Sequence, residues 1–93
     1  MPDALFRLLI FLAILPGSLY AAVAPVSYDR AEAAALRLVP GGAVVTAELA
    51  REHGRLVWLF DVSVPGSRNL REIRVDASTG AVVSNTLELP TDR

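Results

Sequence analysis

Between Leu56 and Val64, apolar side chains occupy every second position: Leu56, Trp58, Phe60, Val62 and Val64. A period of two with β-branched and aromatic residues predicts a strand with one buried face. Weaker runs flank it. Val45, Ala47 and Leu49 alternate with Thr46 and Glu48, and His53-Gly54 then forms a two-residue hairpin signal. After Pro65-Gly66-Ser67, Ile73 and Val75 form the inward pair of a third strand whose other face carries Glu72 and Arg74. Val83, Leu87 and Leu89 supply the inward phase of a fourth, with Asn85 out of phase and therefore marking a bulge or a frayed end.

Upstream the period changes. Ala31, Ala34, Ala35 and Leu38 recur at helical spacing, so a helix is expected over residues 28–38. Ser27 is its cap, Asp29 and Glu32 lie near the positive end of its dipole, and Val26 with Ala31 is spaced as a hydrophobic staple. Pro40 ends it and Gly41-Gly42 turns the chain. Hairpin-length connections make neighbouring strands antiparallel. The expected fold is α+β: one N-terminal helix laid across a four-stranded antiparallel meander, with Trp58 against the small side chains of Ala34 and Ala35.

The first residues belong to another class. A short positive lead precedes the run Leu8 to Leu15, Pro16-Gly17 breaks it, and small residues follow. This is the pattern of a secretory signal peptide over residues 1–24, cleaved near 22–24, with an uncleaved anchor as the alternative. Residues 25–93 would then be the mature domain, periplasmic or secreted from a bacterial cell. It contacts a membrane only if the leader stays attached. The chain has no cysteine, so packing alone must hold it. From Pro25 on, eight arginines meet nine carboxylates, a net charge of −1. There is no basic face for nucleic acid.

Candidate chemistry is thin. Asp76, Ser78 and Thr79 crowd carboxylate and hydroxyl groups together, but a nucleophilic hydroxyl needs an adjacent base, and the one histidine, His53, lies in a different turn. Asp76, Thr79 and Gly80 fit a structural Asx-type turn, in which the carboxylate accepts backbone N–H groups and Gly80 takes a conformation hostile to Cβ. No set of metal ligands, phosphate loop or nucleophile elbow can be assembled. No catalytic residue, cofactor or metal is expected, and the chain is expected not to be an enzyme.

One surface resists a purely structural reading. Val57, Leu59 and Val82 are expected on the sheet face turned away from the helix, with Asp61, Glu72 and Arg74 around them. An apolar island rimmed by charge marks a candidate contact site, unless residues 22–26 fold back over it. The fourth strand, as a sheet edge with one charge, could also accept an added strand, from a peptide or from a second copy.

In order, helix, "VPGG", hairpin, Trp-centred strand and "VDASTG" resemble the PepSY domain family from about Val26 to Leu87. "RVDASTGAVV" is similar to the family's Val-Asp-Ala-x-Thr-Gly-x-Val ending, and "AAALRLVPGG" to its helix exit. The resemblance implies a small exported helix-on-sheet module, similar to one in the propeptides of thermolysin-like metallopeptidases, where it restrains or assists folding of the peptidase. It implies a protein partner, a peptidase in the cell envelope that the module inhibits or modulates, and it transfers no catalytic residue. A sensory or structural accessory that binds no peptidase is the alternative. Leu59 departs from the family pattern, where the outward position is commonly polar.

Overall fold

The computed structural model describes residues 24–89, so the expected leader, except for its last residue Ala24, lies outside the described residues. Among the described residues, one helix, α1 (Tyr28–Leu36), precedes four strands, β1 (Ala43–Glu52), β2 (Arg55–Ser63), β3 (Leu70–Asp76) and β4 (Val82–Glu88). They form one antiparallel sheet in the order β1-β2-β3-β4. The helix lies on β1, β2 and β3. The fold is therefore the expected α+β pair of layers.

Ser27 caps α1 by accepting the Arg30 N–H at 3.2 Å. The helix is nine residues long and stops before the expected Leu38. Leu38 N–H donates to Ala35 O and Val39 N–H to Leu36 O, the tighter bonding of a closing turn. That tightening carries Leu38 out to solvent, 44% exposed, and turns Val39 into the core. A Cβ on Gly42 would lie 2.7 Å from Ser63 O and from a Val39 methyl, so only glycine lets the chain pass there.

Between helix and sheet lie Ala31, Ala35, Val39, Ala47, Leu49, Trp58, Phe60, Val62, Ile73 and Val75, all buried. A nine-residue helix is too short to persist alone; burying Ala31 and Ala35 on this platform stabilises it. Trp58 meets the first turn of α1. Its ring stands edge-on to Tyr28 at 5.5 Å, and Nε1–H donates to Val26 O at 2.9 Å. Val26 N–H in turn donates to Ala77 O at 2.9 Å. The segment before the helix is thus tied to β2 and to the end of β3. Ala24 and Val26 pack into the helix-side core, so they do not fold over the outer face.

Two bulges adjust the phase. Val44 pairs with Val62 and Thr46 with Asp61, which leaves Val45 extra in β1. Val45 is consequently 44% exposed, while Val44 packs on the core in the place expected for Val45. In β4, Ser84 pairs with Arg74 and Val82 with Val75, so the bulge is at Val83 and not at Asn85. His53 takes a positive φ of 51° in the tight β1–β2 hairpin, which closes on the pair Glu52 and Arg55.

Candidate functional site

Cross-strand partners share a face, so the register alone locates the outer surface. Along β2, Val57 stands between Ala50 and Asp76, Leu59 between Glu48 and Arg74, and Asp61 between Thr46 and Glu72. Leu59, Asp61, Glu72 and Arg74 therefore share the expected outer face and are partly exposed.

Val57 and Val82 do not behave as expected. Val57 faces outward yet is only 1% exposed. The reason lies in its diagonal neighbours. Arg74 starts opposite Leu59 on β3 and donates through Nε to Glu52 Oε1 at 3.0 Å, on β1 opposite Arg55. This ion pair crosses β2 directly above Val57. Arg55 reaches Asp76 Oδ2 at 3.3 Å beside it. The charges thus roof the apolar residue instead of framing it. Val82 leaves the outer face altogether, because the Val83 bulge pairs it with Val75, a residue of the helix-side core.

Arg74 also donates through Nη1 to Glu72 Oε1 at 2.8 Å. The hydrogen bond to Glu52 is the main cause that raises its pKa above the ordinary arginine value. The guanidinium is a permanent cation held between two carboxylates. Farther along the same face, Asp61, Glu72 and Glu88 bring carboxylate oxygens within 4.8 Å of one another. Repulsion from Asp61, then burial and Glu72, pushes Glu88 above its usual range. Calcium and magnesium favour oxygen donors but take about six or more. Three carboxylates on an open face fall short of such a shell unless each binds bidentately, and Asp61 already accepts the Thr46 hydroxyl at 2.8 Å.

At the other end, the Asp76 segment is a turn. Asp76 Oδ1 accepts the N–H groups of Ser78 at 2.7 Å and Thr79 at 3.1 Å, and Thr79 Oγ1 accepts Ala81 N–H at 3.1 Å. Gly80, at φ 83°, donates to Asp76 O at 2.8 Å. The Ser78 N–H is the first cause, partly offset by burial, that holds the Asp76 carboxyl below its ordinary range. Every polar atom named here is engaged in shaping the turn, and His53 is in the hairpin between β1 and β2.

Sequence reasoning missed Glu52, Arg55 and Glu88 as members of the outer face. Glu52 and Glu88 lie on the expected strands and Arg55 one residue before one, but only the pairing register shows which charges meet. Among the described residues no helix is long and apolar enough to cross a membrane. The family model described as "Peptidase propeptide and YPEB domain" matches residues 25–86. No curated protein and no solved structure matches the chain.

Proposed function

The chain belongs to the PepSY family, whose members are generally non-catalytic modules of the propeptide and inhibitor type, and from that premise we propose that it is an exported binding module that restrains or modulates a peptidase of the cell envelope. It works in the periplasm or outside the cell, after removal of residues 1–24. The observation that carries this reading is Leu59: a partly exposed leucine on the sheet face away from the helix, with Glu48 and Arg74 as its cross-strand neighbours. An apolar centre with a charged rim has the anatomy of a protein contact.

Mechanistically the module would act by occupation. A sheet face held rigid by its own core can be set against a peptidase surface without reorganising, which keeps the entropic cost of association low. Arg74, fixed by Glu52 and Glu72, would orient the contact, and Leu59 would be the residue desolvated at its centre. The module itself breaks no bond.

Size-exclusion chromatography of the processed protein with the exported metallopeptidases of its host tests the proposal. A stable complex is expected, with loss of that complex for Leu59→Glu at unchanged fold. Absence of any complex at high concentration would favour an accessory that binds no peptidase.

A further inference from the structure

Four of the six large apolar residues that are well exposed among the described residues lie in or just after β4: Val82, Val83, Leu87 and Leu89, at 41–66%. β4 is also the last strand of an open sheet. An edge strand of this composition invites another strand.

Which backbone groups it offers follows from alternation. Asp76 N–H donates to Ala81 O, toward β4, whereas Ala77 N–H donates to Leu56 O, toward β2. In an antiparallel ladder this direction alternates along each strand. Even-numbered residues of β3 therefore bond β4, and their partners Ser84, Thr86 and Glu88 turn their groups inward. The groups of Asn85 and Leu87 point to the open edge.

One of these groups is already occupied. Arg71, diagonal to Asn85 on the helix side of the sheet, donates through Nη2 to Asn85 O at 3.3 Å and through Nε to Asn85 Oδ1 at 2.9 Å. Its guanidinium closes the edge carbonyl in the middle of β4. We propose that the β4 edge is a strand-pairing surface for a second copy of this chain, kept shut by the Arg71–Asn85 clasp.

The second copy fits because the strand is self-complementary. A two-fold axis at Leu87 sets Leu87 against its counterpart, so that the N–H and C=O of each bond the other. Thr86 then faces the other copy's Glu88, and Asn85 faces its Leu89. The one charged residue of β4, Glu88, never opposes itself. The exposed leucines join into one strip on the helix side. With the clasp in place, both copies lack the Asn85 carbonyl, and the ladder shrinks to its centre.

Sedimentation velocity on the protein expressed in full, and purified as its host processes it, tests the gate. The wild type is expected to remain monomeric. Arg71→Ala is expected to double the sedimenting mass as concentration rises, and Asn85→Ala, at an exposed position, to move in the same direction. Leu87→Pro removes an N–H that no internal ladder bond uses, which edge strands tolerate; combined with Arg71→Ala it should restore the monomer. Fluorescence of the buried Trp58 reports that each variant is folded. Folded Arg71→Ala and Asn85→Ala proteins that stay monomeric would overturn the proposal. So would dimers indifferent to Leu87→Pro, or a wild type that already dimerises through this edge.

Discussion

The two faces of this sheet are held by different forces. Toward the helix, β2 presents Trp58, Phe60 and Val62, each 3% exposed or less, as part of a buried apolar cluster. Away from the helix, the same strand presents Val57, Leu59 and Asp61, and the cover over Val57 is an ion pair strung from β3 to β1. Apolar burial is not weakened by charge screening, whereas exposed ion pairs are. One face therefore carries stability through burial, while the other is held by charge pairs that salt weakens.

That contrast predicts a graded set of responses. Phe60→Ala should be the most damaging, at about 3–5 kcal/mol, since the ring is fully enclosed and its removal leaves a cavity. Chemical denaturation measures it. Trp58→Phe keeps an aromatic ring but abandons the Val26 carbonyl, and a loss of about 1–3 kcal/mol is expected on the same assay. On the outer face, Glu52→Gln should change stability by no more than about 1 kcal/mol. It should also remove a salt-sensitive part of the thermal midpoint. A large, salt-independent loss would mean that the roof over Val57 is not electrostatic.

Acid separates two carboxylates with opposite signs. Asp76 has its pKa depressed on folding, so its contribution is present above the ordinary carboxylate range and disappears as pH falls through the depressed value. Glu88 has its pKa raised, so its charge costs stability above that range and the cost is relieved on acidification. Thermal midpoints followed from neutral pH to pH ~3 should fall less steeply for Asp76→Asn than for wild type. For Glu88→Gln, the neutral-pH midpoint should rise slightly.

Much of the helix-side face was legible in the sequence, because alternation in β2 and helical spacing in α1 each have a single solution. The errors fall where two phases fit equally well. Val44-Val45 and Val82-Val83 are apolar pairs, so either member can face the core, and each pair is where a bulge inserts its extra residue. Leu38 and Val39 are a similar pair at the helix exit, resolved by the tightening of the last turn. Val57 shows a different limit. Its direction was read correctly and its exposure was not, since exposure depends on a long Arg74 side chain choosing Glu52 across an intervening strand. The reach of Arg71 is hidden for the same reason: nothing in "NLREIRV" says that its guanidinium meets Asn85 on the next strand.

The chain is a PepSY module, and the contact proposed for it centres on Leu59. Steady-state proteolysis by the host's exported metallopeptidases, with wild-type protein, Leu59→Glu and Leu87→Pro added in parallel, tests that contact most directly. Leu59→Glu leaves the helix-side core untouched but sets a like charge opposite Glu48, so a loss of about 1 kcal/mol with the fold retained is expected. The account predicts that wild type and Leu87→Pro slow cleavage alike and that Leu59→Glu does not. Equal proteolysis with all three proteins, or with none, would contradict it.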